Sequence, residues 1–236
     1  MLQALLYVLA ASSALVIGAV LGSYLKVPRR LVAAILAFTS GSLTAALAFE
    51  LFSEAFRQGG VSWSGLGFIL GASVFAVTDT FLDRYTNSGG EESAFALLAG
   101  VTLDGVPENI ALGITLLQVS GGGSGGIALL FAIFASNLPE ALASVDRLTG
   151  EGRSKGFAIS IWSLTGILLA ASVVLGTTLF EAVGRETLAV MLAFAAGAVL
   201  ASLADTLMPE AYEDGGPFVA FATAAGFLLS FVLSEM

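Results

Sequence analysis

Long apolar runs alternate with short polar breaks along the whole chain. The breaks carry Gly, Pro and charged residues, as in Val27-Pro28-Arg29-Arg30 and Gln58-Gly59-Gly60, and such residues are typical of turns between helices. Each run is long enough to cross a hydrocarbon core of about 30 Å as a helix rising about 1.5 Å per residue. The pattern predicts an all-α membrane protein in one domain, residues 1–236, with eight transmembrane helices at about 2–25, 31–53, 62–82, 94–118, 126–146, 156–180, 187–209 and 217–235.

Composition agrees with a membrane protein and narrows its chemistry. Hydrophobic residues make up 57% of the chain and charged residues 11%, with a mean hydropathy of +0.94. The chain contains no cysteine and no histidine, which excludes disulfides, thiolate or imidazole metal ligands and imidazole catalysis. The net charge of −9 disfavours nucleic acid as a partner and favours cations. We therefore expect the protein to be embedded in the lipid bilayer and to have no enzymatic activity.

The basic residues predict how the chain is oriented. Placing the amino terminus outside puts seven of the nine basic residues on the cytoplasmic side and leaves only Arg57 and Arg185 outside. Cytoplasmic loops of membrane proteins are enriched in Lys and Arg in this way. With an even number of spans, the carboxyl terminus is also outside, and we expect the protein in the cell membrane.

Residues 36–60 align without gaps on residues 192–216, and twelve of the 25 aligned positions are identical. Both stretches end in Glu-Ala, three further residues and Gly-Gly. Because they form spans two and seven, which run in opposite directions, the repeat is inverted, as in many secondary transporters. This predicts a 3+2+3 arrangement, with a first repeat at about 1–83, a central helix pair at about 94–146 and a second repeat at about 156–236.

Polar residues interrupt the two central spans. They read Asp104-Gly105-Val106-Pro107-Glu108-Asn109 and Ser136-Asn137-Leu138-Pro139-Glu140. Residues four apart share a helix face, so the first polar residue of each stretch lies beside the glutamate that follows the proline. Each proline also removes a backbone donor and leaves the carbonyl four residues earlier, Leu103 or Ala135, without its helical partner.

These groups together predict an all-oxygen cation site. Its candidate metal ligands are Asp104, Glu108, Ser136, Asn137 and Glu140. A carboxylate near the bilayer centre costs on the order of 3 kcal/mol, so such residues usually face a bundle interior or a wet cavity. The alternative interpretation is that some of the acids are protonated and only hydrogen-bond between helices.

Two further acids lie near the predicted spans' ends, at nearly matching positions of the repeat. Glu50 lies toward the outer end of span two, and Asp205 lies toward the inner end of span seven. One hypothesis places them on a transport pathway, as stations on either side of the central site. The other treats them as ordinary carboxylates at the membrane interface.

With these motifs in view, the chain resembles the ZIP (Zrt/Irt-like) family of divalent-metal transporters. That family typically carries His-Asn-x-Pro-Glu-Gly in its fourth span and His-Glu-x-Pro, followed by His or Glu, in its fifth. In this sequence Asp104 replaces the first His, Gly105 the Asn, and Glu108 matches the Glu. In span five, Ser136 replaces the His, Asn137 the acidic residue, and Glu140 occupies the ligand position after the proline. The resemblance implies a metal site between spans four and five.

The departures from the family pattern affect the metal preference. Both motif histidines are absent, and span six offers hydroxyls where many members carry a Glu, so a binuclear site is not expected. Zinc remains the expectation from the resemblance, with iron(II), manganese and cadmium as competitors. Oxygen ligands suit harder ions, so we predict a shift toward manganese and iron(II) relative to histidine-containing relatives.

The sequence thus predicts a transporter that brings a divalent cation into the cytoplasm, with the metal as substrate and no resident cofactor. A proton- or sodium-coupled transporter of another cation, and a ZIP-like sensor or scaffold without transport, stay open. An intramembrane aspartyl protease is disfavoured because its Gly-x-Gly-Asp pattern is absent. A homodimer is compatible with the sequence, although no residue requires one.

Overall fold

The structure, a computed structural model, describes residues 2–87, 94–119, 126–150, 152–180 and 182–235. These residues are almost entirely helical and contain no strand, which confirms the all-α prediction for this part of the chain. The predicted break at 83–93 begins too early, since a helix continues to Asn87, and its remainder, like most of the predicted break at 120–126, lies outside the described residues. The helices are α1 Leu2–Tyr24, α2 Arg29–Ala46, α3 Ser53–Asn87, α4 Ala94–Val119, α5 Ile127–Gly150, α6 Lys155–Leu179, α7 Arg185–Ser202, α8 Met208–Gly215 and α9 Val219–Ser234.

Among the described residues, five helical segments are long and apolar enough to cross a membrane. Three of them, within α1, α5 and α6, have the length of a single span. The other two, Arg29–Leu82 and Arg185–Ser234, contain 54 and 50 residues. At about 1.5 Å per residue, a straight helix of that length would extend more than twice the thickness of a hydrocarbon core. The length and apolar character of these helices are consistent with a membrane protein, and each of the two long segments must bend to fit within a bilayer.

A glycine bends each long segment at equivalent points. Gly60 within α3 has φ 63° and ψ −170°, and Gly216 after α8 has φ 63° and ψ −158°. This region of backbone space is open essentially to glycine alone. These two glycines end the repeated stretch identified in the sequence, and the predicted breaks at 58–60 and 213–217 coincide with them.

The two long segments also share a π-helical turn. Leu47–Phe52 joins α2 to α3, and Leu203–Leu207 joins α7 to α8. The turns begin at aligned positions of the repeat, Leu47 and Leu203. An extra residue per turn rotates the side chains that follow, and π-turns frequently lie at functional sites. The repeat is therefore present in backbone geometry as well as in sequence.

The helices pack in two groups. One, called here the flanking bundle, consists of α2 packed on α9 and α3 packed on α7. The packing is close: a Cβ on Gly41 would collide with the carbonyl oxygen of Thr223, and a Cβ on Gly197 with that of Phe68. The other group, called here the site bundle, consists of α1 packed on α5 and α6, and α4 packed on α6. The two bundles meet where α2 contacts α5 and where α4 contacts α7. Helices α1 and α6 therefore pack with α4 and α5, a set of partners that the sequence did not predict.

Large apolar side chains cover the outside of the helices. They include Leu66, Ile69, Ile167, Phe221 and Leu228, each roughly half exposed or more. The interior between helices is built largely from Ala, Leu and Gly. An apolar exterior around a closely packed interior is the distribution expected of helices surrounded by lipid.

Candidate metal site

Helices α4 and α5 each continue through an internal proline, Pro107 and Pro139. Proline has no backbone N–H, so the carbonyl of Ala135 in α5 loses its partner four residues later. The hydroxyl Oγ1 of Thr39, on α2, donates a hydrogen bond of 2.9 Å to that carbonyl oxygen. The Ala135 carbonyl is therefore bonded to a hydroxyl of a neighbouring helix, and is not left available to a cation as the sequence predicted.

Four of the five predicted ligands lie around one small cavity. Glu108 of α4 and Ser136, Asn137 and Glu140 of α5 line it, together with the backbone of Gly105. Glu108 is 5% exposed and Asn137 3%, whereas Glu140 is only half-buried, so the part of the lining near Glu108 is removed from solvent. The side chain of the fifth candidate, Asp104, lies outside the described part of the chain. The structure thus brings both glutamates of the Pro-Glu motifs to the same point.

The cavity has a volume of about 10 Å³. A space of about 10–15 Å³ is the least that accommodates a single water molecule, and a dehydrated metal ion is smaller than water. The site therefore has room for one small guest. Among the described residues no group of three or more acidic side chains converges on one point, so the two glutamates are the anionic ligands that this part of the chain supplies.

The wall opposite α4 and α5 comes from α2, α7 and the second π-turn. Leu43 and Val199 are aligned positions of the repeat, and Leu203 and Leu207 complete the apolar wall. Ser202 is the polar member of this wall and is buried. Sequence reasoning missed Ser202, because a serine within an apolar helix commonly bonds to its own backbone and gives no signal of a site.

Local hydrogen bonds orient the polar residues. Ser136 donates to the carbonyl of Ile133 at 3.0 Å, which leaves its oxygen lone pairs available as acceptors. Asn109 donates to the carbonyl of Gly105 at 2.8 Å and points along α4. The Nδ2 group of Asn137 is buried and has no hydrogen-bond acceptor among the described residues. The same side chain carries an amide oxygen, Oδ1, and an amide oxygen is a ligand for hard cations.

A larger cavity of about 550 Å³ lies at the end of the molecule where residues 25–28 connect α1 to α2, called here the inner end. The cavity is lined by five acidic residues and only two arginines, Arg29 and Arg147. Nη2 of Arg147 lies 3.8 Å from Oε1 of Glu210. Such an excess of acids attracts cations. The acidic residues of the lining are Asp146, Asp205, Glu210, Glu213 and Asp214.

Asp205 is exposed and lines this inner cavity, which is the placement that the pathway hypothesis requires. Glu50 lies at the opposite, outer end. Its carboxylate accepts a hydrogen bond of 3.0 Å from the backbone N–H of Leu129 and also faces the N–H groups of Gly126 and Ala128. Glu50 therefore caps the amino terminus of α5, a structural role that the sequence did not indicate.

No protein-family model matches this chain, and no curated protein is significantly similar to it. The functional argument therefore rests on the motif residues, the repeat and the geometry of the site.

Proposed function

We propose that this protein is a divalent-metal transporter of the ZIP type that moves zinc or a similar ion, such as iron(II), manganese or cadmium, into the cytoplasm. One observation carries the proposal. The glutamates of two Pro-Glu motifs, Glu108 and Glu140, come from separate helices and line the same small cavity. Carboxylate oxygens with hydroxyl and amide neighbours are ligands for divalent cations, whereas two acids without a cation would repel one another.

The proposed path runs from the outer end through this cavity to the inner cavity. The second π-turn supports this path, because Leu203 and Leu207 line the small cavity while Asp205 and Thr206 line the large one. The acids of the inner cavity would receive the ion as it leaves Glu140.

We propose eight spans in a 3+2+3 arrangement, with both termini outside the cell membrane. The glycine bends support the division of Arg29–Leu82 and Arg185–Ser234 into two spans each. These four spans, together with α1, α4, α5 and α6, make the eight proposed spans. The packing further suggests that the site bundle moves against the flanking bundle, since the metal ligands lie on α4 and α5 and the cavity's apolar wall lies on α2 and α7.

Purified protein in liposomes provides the test. We expect uptake of zinc, manganese, iron(II) or cadmium by the wild type, and its loss in the double variant Glu108→Gln plus Glu140→Gln. A matched control, Glu186→Gln plus Glu235→Gln, removes the same number of carboxylates at exposed positions and should retain uptake.

Two results would contradict the proposal. Absence of uptake of every metal by folded wild-type protein would favour a transport-inactive relative, and sodium- or proton-dependent uptake that ignores the metals would favour another cation. In competition at equal concentration, complete exclusion of manganese by zinc would contradict the predicted shift toward harder ions.

A further inference from the structure

The hydrogen bond between Thr39 and Ala135 joins the flanking bundle to the site bundle beside the metal site. Thr39 is fully buried, so water does not compete for its hydroxyl. Its Oγ1 donates at 2.9 Å to a carbonyl that Pro139 has deprived of its helical partner. A carbonyl left without a donor between helices is costly, and the Thr39 hydroxyl, itself buried, removes that cost.

This bond lies next to the cavity. Leu43, one turn along α2 from Thr39, forms part of the cavity wall. On the other helix, Ala135 immediately precedes Ser136 and Asn137, both of which line the cavity. The Ala135 carbonyl is therefore within the same turn of α5 as two of the candidate ligands, and Thr39 holds it.

The aligned position of the second repeat carries no hydroxyl. The position in α7 aligned with Thr39 is Ala195, which is also buried. Helix α7 contacts α4 as α2 contacts α5. The second repeat thus has a methyl group at the buried position where the first repeat has a hydrogen-bond donor.

From these contacts we infer that Thr39 is a specificity-determining positioning residue, which withholds the Ala135 carbonyl from the transported ion. The inference rests on the proposed metal transport. With this carbonyl occupied, the ion is left with the carboxylates and the few polar side chains of the cavity, a small ligand set. Zinc is satisfied by about four ligands, whereas manganese and calcium take about six or more oxygens. Thr39 therefore biases the site toward zinc and against ions that need more oxygen ligands.

Uptake ratios test the inference. Manganese and zinc uptake are measured in liposomes for the wild type, Thr39→Val, Thr39→Ala and Thr39→Ser. The Val variant keeps the shape of Thr39, and the Ala variant reproduces the residue at the aligned position in α7. Thr44→Val is the matched control, because the Thr44 hydroxyl donates to Ser40 within α2 itself.

We expect Thr39→Val and Thr39→Ala to raise the manganese-to-zinc ratio on the order of tenfold, since the ion now satisfies the otherwise unpaired carbonyl. Thr39→Ser and Thr44→Val should keep the wild-type ratio. An equal fall in uptake of both metals would reduce Thr39 to a packing residue, and a changed ratio in Thr39→Ser or Thr44→Val would overturn the inference. If the wild type transports no metal, the proposed function fails instead, so the two failures are distinguishable.

Discussion

Replacement of Glu50 tests the contact that holds α5 at the outer end. Its carboxylate accepts from the Leu129 N–H at 3.0 Å and faces two further N–H groups of the first turn of α5. A hydrogen bond to a charged group contributes about 1.5–3 kcal/mol and a neutral one about 0.5–1.5 kcal/mol. Glu50→Gln keeps an acceptor and should cost about 1 kcal/mol. Glu50→Ala loses the acceptor and the favourable charge at a helix amino terminus, about 2–4 kcal/mol together.

The assay is thermal unfolding in detergent, followed by tryptophan fluorescence. For a chain of this size, about 1 kcal/mol corresponds to about 2–4 °C in Tm. We expect Tm to fall in the order wild type, Glu50→Gln, Glu50→Ala. Glu54→Gln is the control, since Glu54 lies on the next turn and pairs with the exposed Arg57 at 3.3 Å, an ion pair of small worth. If Glu54→Gln lowers Tm as much as Glu50→Ala does, the inference that Glu50 stabilises the protein by capping α5 is wrong.

Three further predictions concern the helix contacts, the bends and the metal ligands. Gly41→Ala should destabilise the protein by about 1–3 kcal/mol in the same unfolding assay because its methyl group meets a backbone carbonyl, whereas Gly65→Ala, in open space within α3, should be neutral or slightly stabilising. Gly60→Ala should also cost about 1–3 kcal/mol, because alanine is strained at φ 63° and ψ −170° although no neighbour obstructs its methyl group. Metal affinity, measured by calorimetry, should weaken as pH falls because protons compete for Glu108 and Glu140, and affinity that is flat between mildly acidic and neutral pH would contradict this.

The sequence predicted the helices because their main determinant is local. Apolar length marks the spans, and the doubled glycines at 59–60 and 215–216 mark the bends. It did not predict the packing of α1 and α6 with α4 and α5, because helix partners depend on contacts between residues far apart in the chain. The π-turns were also missed, since nothing in the residue pattern at Leu47–Phe52 differs from an ordinary helix.

Those residues of the candidate site that belong to a recognisable motif within a single helix could be predicted from the sequence. Proline followed by glutamate identifies Glu108 and Glu140 without knowledge of the fold, and the structure places both at one cavity. Ser202 and Thr39 carry no such signal, because a serine or threonine in an apolar helix commonly bonds to its own backbone. The role of Glu50 was hidden for a different reason: its partner, Leu129, is 79 residues away.

The flanking bundle and the site bundle contact each other in two places, α2 with α5 and α4 with α7. These two contacts differ because the two repeats differ at a few polar positions. At the outer end, Glu50 binds the first turn of α5 and closes the contact between α2 and α5. The position aligned with Glu50 in the second repeat is Thr206, which is exposed and lines the inner cavity. A threonine lacks the charge that makes Glu50 a strong acceptor for backbone N–H groups. An inverted repeat with identical halves would make the same contacts at both ends, so the difference between Glu50 and Thr206 gives a physical reason why α5 is held at the outer end while the aligned position lines a cavity at the inner end.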